Sequence, residues 1–384
     1  MPWQEQNTMS LRTEFVVLAI QPQANISELC RRFNISRKIG YKWLNRFREG
    51  GFPNLSDKSR RPHHSPFLFK DKILEERILF WRVRKGWGGR KLRSVLQGEG
   101  FNSVPAASTI SEILKRHNCI DPQGRKSQKW TRFEADAPND LWQMDFKGPI
   151  RLRDGICEPL TLLDDNSRFS LGVCACNNKT GETVRHHLIN IFRLYGMPWR
   201  ILADNGTPWC SYIHEPYGRC TTGLGAWFMK LGIVLIHSRP YHPQTCGKDE
   251  RFHRSLKQEL TGKEMNCRYR ECQALFDNWR DEYNTIRPHE ALDMATPASM
   301  YRLSDRIFPE KIPEPEYDVT DVVRSVRDQG RVKYKGHDYV VGRAYKGNKV
   351  AIRPTSRENV MAVYFYRQKI AEIDTVLQIV LSKH

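Results

Sequence analysis

HPQTCGKDERFHRSLK, residues 242–257, places Glu250 among Lys248, Arg251, Arg254 and Lys257, just past a proline and a glycine. An acid in such a stripe is ordinarily a solvated partner of its neighbours, and an i,i+4 contact with Arg254 is worth only ~0.3–0.5 kcal/mol. Phe252, Leu256 and Leu260, four residues apart, predict an amphipathic helix that packs through them. At ~100° per residue, Glu250 lies roughly 200° around from Phe252, with Arg254 and Lys257 on its own side. The glutamate therefore faces away from the packing, beside cations suited to phosphate. Its meaning depends on which acids lie upstream.

Working back from this helix, IVLIHS is a strand, LGAWFMKLG a short helix and WRILADNG another strand. GETVRHHLINIFRLYG is a helix with Val184, Leu188, Ile191 and Phe192 on one face, stopped by Gly196. LWQMDF, PLTLLDD and FSLGVCAC precede it as three consecutive strands. The order is a mixed α/β domain. Asp145 lies inside the first strand, between Met144 and Phe146, where a charge is costly without a partner. Asp204 ends a later strand, where Asn205-Gly206 turns the chain outward, and open α/β sheets place ligands at such ends. Asp145, Asp204 and Glu250 would supply hard oxygen ligands for Mg²⁺ or Mn²⁺. Two such ions serve phosphodiester chemistry by activating an attacking oxygen and stabilising a leaving one.

The whole composition suits a polyanionic partner. The 384 residues carry 62 Lys and Arg against 43 Asp and Glu, a formal charge of +19. No apolar run reaches the ~18 residues of a spanning helix, and MPWQEQNTMS has no signal-peptide pattern, so no membrane partner is expected. Ten cysteines without a CxxC pair are expected as free thiols in a reducing cytoplasm.

Residues 25–48, NISELCRRFNISRKIGYKWLNRFR, hold two short helical patterns, Ile26, Leu29, Cys30, Phe33 and then Ile39, Trp43, Leu44, Phe47, with Ser36 capping the second. Arg37, Lys38, Tyr41, Lys42 and Arg46 form the basic front of that second helix, as in a helix-turn-helix. Arg60 and Arg61 lie in a Gly/Pro/Ser-rich linker and could enter a minor groove. Three more helices fall within 70–118, broken by GWGG and GEG, and form a second small helical domain. Beyond the Pro-rich FPEKIPEPEYD, a hairpin around Gly336 and the strands KVAIRP and NVMAVYFY form a small, barrel-like β domain.

WQMDF, ILADNGTPW, RPYHPQTCGKDERFHRSLKQE and YNTIRPHEAL…TPASMY together resemble the DDE transposases with a retroviral-integrase-like core. The similarity is to the bacterial insertion-sequence group whose helix-turn-helix and catalytic domains share one reading frame, and it covers nearly the whole chain. It implies a ribonuclease-H-like fold and a catalytic, metal-binding triad at Asp145, Asp204 and Glu250. It further implies two Mg²⁺ ions, for which Mn²⁺ can substitute, and a homo-oligomer, at least a dimer, on paired element ends. The expected reaction is 3′-end cleavage at terminal inverted repeats and strand transfer into target DNA, in a bacterial cytoplasm close to the nucleoid. His242 and Gln244 resemble positions flanking the active site and, with Lys248, Arg251, Arg254 and Lys257, are candidate DNA contacts. The 45 residues between Asp204 and Glu250 exceed the retroviral spacing, the excess falling in CSYIHEPYGRCTTGLGA.

The expected division is a helix-turn-helix domain at 1–52, a basic linker at 53–69 and a second helical domain at 70–120. A linker at 121–137, the catalytic core with a trailing helix at 138–300, a linker at 301–320 and a β domain at 321–384 complete it. Asp164 and Asp165 either cap their turn or add a carboxylate to the site. His237 is expected to be structural, and Arg287-Pro288-His289 to pack a helix end against the core. Two rival functions are a catalytically silent DNA-binding regulator and a ribonuclease-H-class nuclease.

Overall fold

A computed structural model describes residues 8–58, 71–120, 134–212, 219–237, 247–261 and 265–383. The chain divides into two compact units, residues 1–70 and 71–384.

The first unit is a three-helix domain of α1 (Thr8–Ala19), α2 (Ile26–Arg32) and α3 (Arg37–Gly50). Asn25 caps α2 by accepting from the Ser27 and Glu28 amides, and Ser36 caps α3 by accepting from the Ile39 amide at 3.3 Å. Asn34, at φ +51°, takes the left-handed turn between them. Gly40 permits close approach, because a Cβ there would stand 2.5 Å from Cys30 Sγ. That contact corrects the expected apolar face: Gly40 is buried with Trp43 and Leu44, while Ile39 is 43 % exposed.

The second unit begins with α4 (Lys72–Lys85), α5 (Gly89–Gly98) and α6 (Ala107–Arg116). A six-stranded sheet follows, made of β1 (Leu141–Phe146), β2 (Ile150–Leu152), β3 (Gly155–Asp164), β4 (Ser170–Cys176), β5 (Arg200–Ala203) and β8 (Val234–His237). β1, β3 and β4 pair antiparallel, whereas β5 and β8 continue parallel from β1, a ribonuclease-H-like order. The short pair β6 (Cys210–Tyr212) and β7 (Arg219–Thr221) falls in the long stretch before the last acid.

Side-chain alternation along β1 sorts the two faces. Trp142 and Met144 pack with α7 (Gly181–Tyr195) and α8 (Gly223–Lys230). Gln143 and Asp145 point to the other face, where Leu163 and Val173 meet α9 (Gly247–Leu256) and α10 (Tyr269–Thr285). Residues 301–320, expected as a linker, form no helix or strand but lie along the core. There Tyr301 stacks on Phe169 at 4.3 Å, and Arg306 donates to the Leu231 carbonyl at 2.7 Å.

After the short α11 (Pro297–Met300), the remaining strands are β9 (Val322–Ser325), β10 (Arg331–Tyr334), β11 (His337–Val340), β12 (Lys349–Pro354), β13 (Val360–Phe365), β14 (Gln368–Asp374) and β15 (Ile379–Lys383). They form a five-stranded antiparallel sheet and the hairpin β10–β11. The hairpin turns at Lys335 and Gly336, both at positive φ. This β module shares its apolar core with Ala226 and Met229 of α8.

Candidate active site

The register of β1 and β5 brings two of the expected acids together. Gln143 pairs with Leu202 in the parallel ladder, so two residues further on Asp145 and Asp204 leave the sheet at the same edge, near enough for the charge of one to act on the other. Burial, and then the Asp204 carboxylate, push Asp145 up to about 6. Asp204 is exposed; its Oδ1 accepts from the Gly206 amide at 2.9 Å. A Cβ at Gly206 would lie 3.2 Å from Asp204 Oδ2, so the glycine leaves the carboxylate uncrowded. His237 Nδ1 donates to the Asp204 carbonyl at 2.9 Å and holds the strand end, a structural part.

α9 crosses the face to which Asp145 points. Phe252 and Leu256 are buried beneath it, against Trp279 and Tyr283 of α10. Glu250 is exposed and lines a groove with His253, Arg254 and Lys257, the i, i+3, i+4, i+7 pattern of one helix face. Among the described residues, no three His, Cys, Asp or Glu side chains stand close enough together to hold a metal ion. The structure thus joins Asp145 to Asp204 and sets Glu250 on the neighbouring helix face.

Two site residues had escaped the sequence reading. His253 Nε2 lies 2.8 Å from Thr161 Oγ1, and its Nδ1 lies 3.9 Å from Asp145 Oδ2. Burial and Lys147 push this imidazole down to about 4. Asp249 is buried and held well above the usual carboxylate range by burial, then by Asp145 and Asp165. Thr161 stands opposite Asp145 in the β1–β3 ladder, a cross-strand relation that spacing along the chain does not reveal.

Asp164 and Asp165 have architectural partners. Asp164 accepts from the Asn139 and Ser167 amides and from Ser167 Oγ. Asp165 accepts from the Ala135 amide and Gln143 Nε2, and pairs with Lys248 at 2.5 Å. Lys248, expected as a DNA contact, has its ammonium drawn inward by this fully buried carboxylate.

A second buried charge centre lies just past α9. Glu259 accepts from Trp87 Nε1 at 3.2 Å and Trp279 Nε1 at 3.1 Å, with Lys85 at 3.8 Å. Arg287 pairs with Glu259 and donates to Ser255 Oγ at 2.9 Å. Asn284 exchanges two hydrogen bonds with the backbone of Ser170 on β4. The YNTIRPHEAL stretch therefore clamps α9 and α10 to the sheet, and the α4–α5 corner is fastened to the same point.

In the first unit, Arg37, Lys38, Tyr41 and Lys42 are exposed on α3. Arg46 is half-buried, with its guanidinium 4.8 Å over Trp43. Arg251 is exposed on α9. Arg60, Arg61, His242 and Gln244 lie outside the described residues.

Matches to known families run along most of the chain. Residues 135–243 and 231–297 each match an integrase core domain. Residues 321–379 match the C-terminal domain of IS481 family transposases. Residues 11–63 match a helix-turn-helix domain and 39–114 a homeodomain-like domain. The insertion element IS407 uncharacterized 31.7 kDa protein of Burkholderia multivorans is 22 % identical over 288 residues, 73 % of this chain and 92 % of that protein. The insertion element IS476 uncharacterized 39.2 kDa protein of Xanthomonas euvesicatoria is 25 % identical over 224 residues, 56 % of this chain and 61 % of that protein. Among solved structures, the HTLV-2 integrase catalytic core domain in complex with magnesium aligns at a TM-score of 0.34 and 15 % identity, over 44 % of this chain and 99 % of that one.

The fold and these matches define a DNA-binding enzyme with an integrase core. Within that class the chain belongs to the DDE transposases of bacterial insertion sequences, with helix-turn-helix domains ahead of the core.

Proposed function

We propose that this transposase binds the terminal inverted repeats of its element, cleaves their 3′ ends and transfers them into target DNA. The observation that carries the reading is the pairing of Asp145 with Asp204 at the edge of the sheet, under the helix that bears Glu250. Two neighbouring carboxylates, one of which raises the proton affinity of the other, with no cation in direct contact among the described residues, are a donor set that fits a divalent ion. Asp145, Asp204 and Glu250 would hold Mg²⁺, two ions with Mn²⁺ able to replace them. The ions would polarise the scissile phosphate and lower the pKa of the attacking oxygen.

The protein's own groups set the stage. Thr161 and His253 hold the Asp145 side of the site, and Gly206 keeps the Asp204 carboxylate open. Glu250 lines the groove beside Arg254 and Lys257 and would complete the donor set. Residues 1–52 and 70–120 would read the repeats, with Arg37, Lys38, Tyr41 and Lys42 facing the major groove. The core at 138–300 would cut and join, the β domain at 321–384 would grip DNA or another protomer, and at least two protomers would act on paired ends. The enzyme would work in the bacterial cytoplasm, on nucleoid DNA.

The test is to incubate the protein with DNA carrying the repeats that flank its gene, with Mg²⁺, with Mn²⁺ and with chelator. Nicked 3′ ends and joined products in either metal, and neither in chelator, are expected. Tight binding of the repeats without cleavage in any metal would favour a silent regulator.

A further inference from the structure

The groove beside Glu250 has a volume of about 1040 Å³. One wall is the outer face of α9, with Arg254 and Lys257; the other is the β1–β2 turn and the β2–β3 hairpin, with Lys147, Arg151 and Arg153. Five cations among the described residues thus share this groove with a single carboxylate, Glu250. Among the described residues, none of Lys147, Arg151, Arg153, Arg254 and Lys257 forms an ion pair, whereas Lys85, Lys248 and Arg287 all do.

Holding like charges together costs free energy unless an anion joins them. Lys147 and Lys257 face this cost from opposite walls of the one groove. The hairpin wall is firmly placed. Arg153 donates its amide to the Cys267 carbonyl at 3.1 Å and its Nε to Asn266 Oδ1, so the guanidinium is positioned by a neutral partner. Ile150 and Leu152 root the strand in the core shared with α9 and α10.

We propose that the β2–β3 hairpin and α9 form one backbone track, in which Lys147, Arg151 and Arg153 bind the phosphates of a DNA segment running past Glu250. The proposal rests on the transposase reading for the identity of the anion. Phosphodiester backbone fits because the groove offers a line of cations, and cations of this kind position DNA without reading sequence. Two DNA segments share that chemistry, the element end and the target.

The test measures affinity against salt for the full chain, on duplexes with the repeat end and on unrelated duplexes. The variants are Arg151→Gln with Arg153→Gln and, as an equal change of charge across the sheet, Arg185→Gln with Arg193→Gln on α7. Each lost phosphate contact lowers the slope of log K against log salt by about 0.9. The hairpin pair is expected to reduce the slope by about 2, while the α7 pair leaves it unchanged and both keep the wild-type melting midpoint. A reduction confined to repeat-end DNA assigns the track to the element, and one confined to unrelated DNA assigns it to the target. Wild-type slopes for the hairpin pair, or an equal loss in the α7 pair, would overturn the track. Because these slopes report binding alone, a wild-type protein that fails to cut would sink the transposase reading and leave the track standing.

Discussion

The two sides of α9 and its continuation handle charge in opposite ways. On the inner side, Glu259 has Arg287, Lys85 and two indole N–H donors around it, and Lys248 meets Asp165. On the outer side, Glu250, Arg254 and Lys257 face an open groove and have no ion-pair partner among the described residues. Paired buried charges fix the position of a helix, because removing either partner strands the other. Unpaired exposed charges contribute little to stability and are available to a ligand. The same short stretch therefore carries the architecture on one side and the face proposed for the chemistry on the other.

This contrast makes its strongest prediction on the inner side. Arg287→Ala leaves Glu259 buried without its main cation and should cost about 3–5 kcal/mol in denaturant unfolding. Arg254→Ala should change stability by no more than about 0.5 kcal/mol, while weakening DNA binding. Equal stability losses in the two variants would erase the distinction between the faces.

A smaller effect sharpens the comparison through pH. Burial, and then Arg287, push His289 in the clamp down to about 2. Its unfolded value is near 6.5, so below that pH the unfolded chain binds a proton that the folded chain refuses, and stability falls as pH falls. The slope is at most about 1.4 kcal/mol per pH unit. Asp145, with its raised value, acts with the opposite sign between about pH 4 and 6, but equally in both proteins compared. Melting midpoints between pH 7 and pH 5 should thus fall less steeply in His289→Gln than in wild type. Parallel curves would show that His289 is not held neutral.

The parts of this site that local pattern determines were legible in the sequence. Asp145 and Asp204 could be placed because an acid inside an apolar strand, and another at a strand end, carry their reason with them. The outward direction of Glu250 followed from the spacing of Phe252 and Leu256. What stayed hidden depended on distant partners. Glu259 in KQEL looks like a solvated acid until Trp87 and Arg287 arrive from far along the chain. Lys248 looks like one more surface cation until Asp165 faces it. β2 is three residues long with an arginine at its centre, too short for a strand pattern to register, yet it carries one wall of the groove. Ile39 misled because its helical spacing was right, but the close approach of α2 gave the interior position to Gly40.

The most direct measurement compares wild type with Glu250→Gln on DNA carrying the flanking repeats, in Mg²⁺, following binding, cleavage and melting midpoint together. The account predicts that the variant binds the ends and melts with the wild type but yields neither nicked nor joined DNA. A variant that cuts as well as wild type, or that fails only because it unfolds, would contradict the assignment of the outer face of α9 to the chemistry.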